Sequence, residues 1–392
     1  MLKSNVAYST NKSAYEAGKE VAKGAVADLG ETKVAFLFTS VKYTQKDVIK
    51  GVKEVIGTAP LIGCTSSAGI LVPDGFITGK DGYAGMLAIG DSDTAVGVAA
   101  SERGKNPRET GRKVALEAMK KVGTDHVPAY YFMVASPAEE EEYEKGIADV
   151  IGEVPFFGGS AADDAVAGEW KIFTGEKEFS DGVAVAFFYT NKPMKNKYTG
   201  EFHETVNAGV VTKMNGKRQI VEINGIPALK QYCKWTGQKE KDLMGMNILG
   251  KSVVAPLGVK DRLGSLTAIR HPMVANKDLS INVGNTVTVN TAVIQMQAST
   301  DELINATGKT LKTVRNELPV DVGAYLLIHC GGRRLQIDSR IDEVAKQLKK
   351  ESKGVPFIGA FTFGEYGSED HGQNTCGGLM LSFTGFGATE KK

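Results

Sequence analysis

The sequence predicts an α/β protein of mixed α+β character, in which amphipathic helices cover mixed sheets. Two observations lead to this prediction: an order of elements that occurs three times, and a short Pro–apolar–apolar–Gly strand inside each copy. This strand appears at Pro60–Gly63, Pro155–Gly158 and Pro356–Gly359. A chain of 392 residues is long enough for two or three domains with large cores.

Each copy is a helix-strand-helix-strand-strand unit, with a polar turn before the last strand. Apolar residues at helical spacing predict the helices, and continuous apolar runs predict the buried strands. The predicted helices span residues 13–29, 45–56, 107–122, 139–151, 300–318 and 338–350. The predicted buried strands span residues 33–40, 129–135 and 324–330, and the last strands span 83–89, 182–188 and 378–383. We interpret the three copies as an internal repeat.

Two further features complete the predicted organisation. Residues 83–89 and 95–100 are expected to pair as antiparallel strands joined by the turn at 90–93. Residues 198–279 do not fit the unit, and they contain an Asn-Gly hairpin, a helix at 226–235 and short strands at 252–257 and 266–271. The charged segment 191–197 predicts a boundary near residue 195. The predicted domains are therefore 1–195, with two units, and 196–392, with an inserted segment and the third unit.

Composition excludes several classes of function. With 47 basic and 46 acidic residues the net charge is +1, so there is no electrostatic case for nucleic acid or an anionic membrane. The four cysteines form no C-x-x-C pair, which argues against a disulfide framework and a zinc site. The N-terminus has no signal pattern, and no apolar run approaches the ~18 residues of a membrane helix. The sequence therefore predicts a soluble, cytoplasmic protein with no metal site.

The run Gly158-Gly-Ser-Ala-Ala-Asp-Asp164, followed by Trp170–Gly175 and the strand 182–188, resembles the FIST family. The resemblance to the N-terminal FIST domain includes residues 60–69, and that to the C-terminal domain includes 221–229, the Arg270 strand and 356–366. It implies a sensory module that binds small molecules, with amino acids as proposed ligands. Such modules are often fused to output domains, and one subgroup binds haem and senses nitric oxide.

Two departures from the family pattern matter. The chain ends within ten residues of its last predicted strand, so we expect no fused output domain and signalling through a partner protein. The usual His-Asn-x-Thr approach to the last strand is here His371-Gly-Gln-Asn-Thr-Cys376, with the histidine displaced. The resemblance therefore does not extend to His371.

The turns that follow the three Pro-containing strands are the candidate ligand site, because loops at strand C-termini commonly form a pocket. Short hydroxyls beside glycine expose backbone N–H groups that suit an anion, although any tight turn needs the same residue types. In the second turn Asp163 and Asp164 suit a turn or cap role better than a ligand role. The residues we select from the other two turns are Cys64, Ser66, Ser67, Thr362, Glu365 and Tyr366.

Arg270 is the seventh candidate, because a guanidinium on an apolar strand needs a carboxylate partner from a ligand or from the protein. The cofactor is unknown. A single axial histidine suffices for haem, and His271 and His329 on apolar strands are the candidates. An enzyme that uses Cys64 or Glu365 on an amino-acid-like substrate is the other alternative. His329 and Cys330 point to opposite strand faces and so cannot form a dyad.

Overall fold

The computed structural model describes residues 1–260, 266–368 and 373–390. The first part of the chain contains β1 (Lys3–Ser9), α1 (Ala14–Ala25), β2 (Thr32–Thr39), α2 (Gln45–Ile56), β3 (Leu61–Thr65), β4 (Ile70–Val72), β5 (Gly75–Ile77) and β6 (Ala84–Gly90). The second part contains β7 (Ala95–Glu102), α3 (Pro107–Val122), β8 (Tyr130–Ala135), α4 (Glu140–Ile151), β9 (Phe156–Ser160), β10 (Ile172–Thr174), β11 (Glu178–Phe179) and β12 (Gly182–Tyr189).

The second half begins with a segment rich in short strands and ends with three further helices. The segment contains β13 (Met194–Thr199), β14 (His203–Asn215), β15 (Gln219–Ile223), β16 (Ile226–Pro227), α5 (Ala228–Thr236), β17 (Met246–Asn247), α6 (Leu249–Ser252), β18 (Leu257–Lys260), β19 (Thr267–Arg270), β20 (Pro272–Ala275), β21 (Ile281–Val283) and β22 (Ala292–Gln297). The last part contains α7 (Thr300–Glu317), β23 (Val322–Cys330), α8 (Gly331–Ile337), α9 (Ile341–Ser352), β24 (Phe357–Thr362), β25 (Glu365–Ser368), β26 (Asn374–Gly377) and β27 (Leu381–Gly387).

Three six-stranded sheets share one strand order. They are β1-β6-β2-β3-β10-β11, β7-β12-β8-β9-β25-β26 and β13-β27-β23-β24-β4-β5. In each sheet a central strand (β2, β8 or β23) pairs in parallel with the strand that follows the next helical segment, and antiparallel with the last strand of its unit. The predicted fold class, mixed sheets with amphipathic helices in two domains, is confirmed.

The outer hairpin of each sheet comes from a different unit. The hairpin β10-β11 of the second unit completes the first sheet, β25-β26 of the third completes the second, and β4-β5 of the first completes the third. The exchange therefore runs around a closed cycle. Two of the hairpins, β4-β5 and β25-β26, link the two halves of the chain, and residue 195 lies within β13. The boundary near residue 195 and the sequence repeat stay predictions.

The three sheets pack their inner faces into one shared core. Phe36, Phe132 and Phe386, one from each sheet, meet there, with ring centroids 5.1 Å apart for Phe36–Phe132 and 6.1 Å for Phe36–Phe386. The helix pairs α1/α2, α3/α4 and α7/α9 cover the outer faces. The pair α3/α4 packs closely, since a Cβ at Gly146 would lie 1.9 Å from the carbonyl oxygen of Arg108.

A nine-stranded antiparallel sheet lies outside this cycle. Its order is β17-β20-β21-β15-β14-β22-β18-β19, with β16 paired to β15. Helix α5 covers one side, where Leu229 and Tyr232 pack on Ile220 and Ile223 of β15. Within the described residues, no helix is both long and apolar enough to cross a membrane.

Two predictions of local structure are wrong. Strands β6 and β7 do not pair with each other, because each finds partners in its own sheet. The connection between them crosses from the first sheet to the second, where Asp91 forms a buried ion pair with Lys192 (2.9 Å). Residues 252–256 are not a strand, and only Leu257 of the predicted strand belongs to one, as the first residue of β18. Ser252 ends α6 and donates a 2.6 Å hydrogen bond to the Pro272 carbonyl, and Pro256 has no N–H to give to a ladder.

Replacing Ser66 tests the exchange of the β4-β5 hairpin. The buried Ser66 hydroxyl donates to the Gly69 carbonyl (2.7 Å) and accepts from the Phe361 N–H of β24 (2.8 Å). Ser66→Ala leaves the buried Phe361 N–H without an acceptor. We therefore expect urea denaturation to show a loss of about 1–3 kcal/mol in the free energy of unfolding. Ser92→Ala, at an exposed turn, is the control and should change it by less than about 0.5 kcal/mol. A Ser66→Ala protein with the wild-type free energy of unfolding would contradict the pairing of β4 with β24.

Candidate functional site

The polar turns after β3, β9 and β24 meet one another, although they belong to three sheets. The N–H of Ser67 donates to the Phe361 carbonyl (2.9 Å), and that of Ala162 donates to the Thr65 carbonyl (3.0 Å). The N–H of Ser160 donates to the Gly364 carbonyl (2.8 Å). The turns thus satisfy one another's backbone groups at the junction of the sheets.

The polar groups of Ser66 and Ser67 in the first turn form hydrogen bonds within the protein. Cys64, Ser66 and Ser67 are buried, and Cys64 faces the shared apolar core. Burial raises the pKa of the Cys64 thiol far above its ordinary value, which opposes the thiolate that nucleophilic catalysis needs. Within the described residues, no side chain hydrogen-bonds to Cys64. This geometry does not favour an enzyme that uses Cys64.

Asp163 and Asp164 of the second turn hold loops. The carboxylate of Asp163 accepts hydrogen bonds from the N–H groups of Ala165, Ala167 and Glu169. Asp164 accepts a 2.7 Å hydrogen bond from the Ala68 N–H of the first turn. The sequence interpretation of these two residues as turn or cap residues is confirmed.

The third turn contains a buried carboxyl group. Glu365 is fully buried, with Oε1 2.9 Å from the Thr362 hydroxyl, while Oε2 accepts the Met380 N–H at 2.9 Å. Burial raises the pKa of Glu365 to about 8, so the neutral form dominates at pH 7. The neutral carboxyl can donate to the Thr362 hydroxyl and still accept from Met380.

Tyr366, the next residue of β25, lies near a second buried carboxyl group, that of Glu140. The Tyr366 hydroxyl lies 2.6 Å from the Ser160 hydroxyl. Ser160 Oγ and Glu140 Oε1 lie on the same side of Gly364, 2.9 Å and 3.6 Å from the position a Cβ would take there. Glu140 also helps to raise the pKa of the buried Tyr366 hydroxyl, after the larger effect of burial.

Glu140 and Glu141 begin α4 and face the nine-stranded sheet. Asn285 donates to Glu140 Oε1 (3.1 Å), and the Thr286 N–H donates to Glu141 Oε1 (2.9 Å). Arg218, at the β14-β15 hairpin, forms ion pairs with Glu140 (3.2 Å) and Glu141 (2.5 Å). The ion pair of Glu140 is made through Oε2, which accepts no hydrogen bond within the described residues.

The two carboxylates differ in their electrostatics. Burial, reinforced by the charge of Glu141, raises the pKa of Glu140 to about 7. For Glu141 burial acts in the same direction, but Arg218, the Thr286 N–H and Arg270 together hold the pKa below its ordinary value. Glu141 is therefore the charged partner, and Glu140 titrates near neutral pH.

The matching position in the first unit shows what a purely structural residue looks like there. Gln45 begins α2 as Glu140 begins α4, and both side chains are buried. The Gln45 amide is satisfied within its own unit, by the Thr39 hydroxyl and the carbonyls of Ser40 and Tyr43. Glu140 instead places a titratable carboxyl group at this position and contacts Asn285 and Arg218 of the nine-stranded sheet segment. Packing of the helix end alone does not require this carboxylate.

Arg270 lies beside this pair of glutamates at the end of β19. Its Nε donates to the Thr286 carbonyl (3.0 Å), and Nη1 donates to the carbonyls of Cys376 and Ile269 (both 3.2 Å). Within the described residues, Nη2 has no hydrogen-bond partner and no carboxylate forms an ion pair with this guanidinium. We call Glu140, Glu141, Arg218 and Arg270 the Glu–Arg cluster. Glu141, Arg218 and Arg270 are only partly buried, so the cluster reaches solvent.

Of the seven predicted site residues, Arg270 is in the cluster and Tyr366 lies next to it. The sequence interpretation missed Glu140, Glu141 and Arg218. The acidic start of α4 was explained by the helix dipole, and Arg218 belongs to the segment outside the repeat. Helical spacing holds a signal for Glu140, since it precedes the buried Tyr143 by three residues and Ile147 by seven.

Both haem candidates are buried side chains. Nε2 of His271 lies 3.0 Å from the Leu249 carbonyl, which can only accept, so this nitrogen donates and has no free lone pair. His329 Nδ1 likewise donates to the Cys330 carbonyl (3.0 Å). Its Nε2 has no partner within the described residues, but the ring is fully buried against Phe361. His371 lies outside the described residues.

The buried carboxyl of Glu365 predicts a pH dependence of stability. Because its pKa is raised in the folded state, the folded protein keeps a proton that the unfolded chain releases above its ordinary pKa. Stability from this group is therefore present at low pH and lost as pH rises from about 4.5 to about 8.

We expect Glu365→Gln, which stays neutral, to weaken the fall in the urea midpoint between pH 5 and pH 8. Glu169→Gln, at an exposed site, should keep the wild-type dependence. A Glu365→Gln protein with the wild-type dependence would show that Glu365 is not the titrating group.

Two family models match the chain. The FIST N domain model matches residues 33–226, and the FIST C domain model matches residues 228–368. No curated protein matches the chain.

Solved structures give only weak similarity. Phosphoribosylformylglycinamidine synthase II from Thermotoga maritima is 11% identical, with 98% of this chain and 72% of that chain covered and a TM-score of 0.24. PurLQS from the same organism is 10% identical, with the same coverage and TM-score. These TM-scores are too low to support an argument about fold or function. The two family models together span most of the sequence, and the chain therefore belongs to the FIST family.

Proposed function

We propose that this protein is a sensory protein that binds a small molecule at the Glu–Arg cluster, and that the ligand is an amino acid or a small carboxylate. FIST domains are small-ligand-binding sensory domains, which sets the class of function. The observation that carries the choice of site is the Arg270 guanidinium. It is held by three backbone carbonyls, and its Nη2 has no partner within the described residues.

The charges of the cluster favour a zwitterion over a simple anion. A ligand carboxylate can accept from Nη2 of Arg270 in a charge-assisted hydrogen bond. The charged Glu141 next to it would repel a second negative group and attract a ligand ammonium. Oε2 of Glu140, which Arg218 contacts at 3.2 Å in an ion pair but which accepts no hydrogen bond from the described residues, offers a further acceptor for that ammonium.

The remaining predicted site residues have supporting roles in this proposal. Tyr366 lies beside Glu140, on the side of the turns. Thr362 and Glu365 hold the third turn, and Cys64, Ser66 and Ser67 hold the first. These residues act on the ligand through the shape of the turns.

Signalling requires that the ligand favour one of two states. The cluster joins α4 of the second unit to the nine-stranded sheet, so a ligand that contacts both would favour their closed arrangement. We propose a cytoplasmic protein that passes this change to a protein partner. No observation favours haem sensing or catalysis as a second function.

Thermal-shift measurements with amino acids test this function. A ligand selective for the folded state stabilises it by about 2.7 kcal/mol at a concentration of 100 times Kd, which raises Tm. We expect at least one of the twenty amino acids to raise Tm, and Arg270→Ala to abolish that shift. Arg340→Ala, which removes a partly exposed arginine just before α9, should keep it.

A second measurement compares the Tm shift given by each active amino acid with the shift given by its deaminated form. If Glu140 and Glu141 bind the ammonium, glutarate, for example, should give a smaller shift than glutamate. An equal shift from both would remove the glutamates from the proposal. A full shift in Arg270→Ala would place the ligand elsewhere.

A further inference from the structure

Four lysines line a cavity at α5, the helix that covers one side of the nine-stranded sheet. The cavity has a volume of about 520 Å³ and is formed by α5 and the turn that follows it. Lys230, Lys234, Lys239 and Lys241 line it and are all exposed, together with Cys233, Gln238 and Glu240. We call this cavity the α5 cleft.

The positive charge of the cleft is not neutralised within the protein. None of the four lysines forms an ion pair or a side-chain hydrogen bond with another described residue, and Glu240 is the single acidic residue of the lining. Lys230 and Lys234 are one helical turn apart, where like charges repel. The helix dipole accounts for Lys234, which lies in the last turn of α5, but not for the other three.

Lysines elsewhere have a different arrangement. Lys346, Lys349 and Lys350 also lack an ion pair with a described residue, but they lie on the exposed side of α9, a surface typical of solvated helices. The overall charge of the chain is only +1, so the cleft is a local excess. An open depression lined by four lysines suits an extended anionic chain.

Exposed apolar side chains continue the surface beyond the lysines. Met244 and Met246 are 46% and 47% exposed, and the Met244 N–H donates to the Glu240 carbonyl, which places it one turn beyond the cleft. Methionine side chains adapt to different apolar partners and are frequent at protein-binding surfaces. A partner for this surface therefore needs acidic and apolar residues together.

From these contacts we propose that the α5 cleft binds an acidic segment of a partner protein. Nucleic acid is a poorer fit, because the exposed Met244 and Met246 beside the lysines favour apolar side chains, which a phosphate backbone lacks. The proposal does not rest on the ligand at the Glu–Arg cluster. However, α5 packs on β15, which follows Arg218 directly, so the two sites share one sheet.

Fluorescence anisotropy with a labelled ten-residue peptide of alternating Glu and Leu tests this inference at low ionic strength. We expect the full chain to bind it, and the variant K230Q/K234Q/K239Q/K241Q to lose about tenfold or more in affinity, since it lacks four charge pairs. The matched control K312Q/K346Q/K349Q/K350Q removes the same charge from α7 and α9 and should bind within about twofold of wild type. A peptide with Gln in place of Glu should not bind.

Three results would overturn the proposal. They are no binding by the wild-type chain, an equal loss in both quadruple variants, or a tighter lysine-dependent interaction with another polyanion. The polyanions to compare are a 20-base-pair DNA duplex and vesicles of phosphatidylserine and phosphatidylcholine. Far-UV circular dichroism checks the fold of each variant, and the double variant K230Q/K239Q, with a smaller loss expected, replaces any quadruple variant that fails to fold.

Discussion

The cyclic exchange of hairpins is the constraint on which the rest of the structure depends. Each six-stranded sheet is completed by β-strands from another unit, so none of the three can form all its ladders alone. The hairpins leave their parent units through the polar turns after β3, β9 and β24. These turns must therefore meet, and their short hydroxyls and glycines serve to satisfy one another's backbone groups in a crowded junction.

This constraint also positions the Glu–Arg cluster. The exchanged hairpin β25-β26 places Tyr366 against Ser160 of the second unit, next to the start of α4. The nine-stranded sheet then closes over the same helix start through Arg218, Asn285 and Thr286. Buried charges are costly unless paired, and here two carboxylates and two guanidinium groups compensate one another while part of their hydrogen-bonding capacity is left free. A surface built only for stability would more simply use a neutral residue such as Gln45.

Local patterns in the sequence predicted the positions of the helices and strands better than they predicted which strands pair. Helical periodicity and apolar runs located the main helices and the central strands, since these signals depend on neighbouring residues. Strand pairing between distant units leaves no such local signal, so β6 and β7 were joined by proximity. Cys64 was assigned to the first turn, although it lies within the buried strand β3. Arg270 was found because a charge on an apolar strand is unusual. Glu140 was missed because an acidic helix start already has an ordinary explanation.

The exchange also has a consequence for how the chain folds during synthesis. Strand β4 pairs with β24, almost 290 residues later, so the third sheet cannot be completed until nearly the whole chain has left the ribosome. Contacts of such long sequence separation slow folding. Until then β4 and β9 keep unpaired edges, which are templates for pairing with other chains. The nascent protein therefore passes through a late, aggregation-sensitive stage, and the two halves are poor candidates for separate expression.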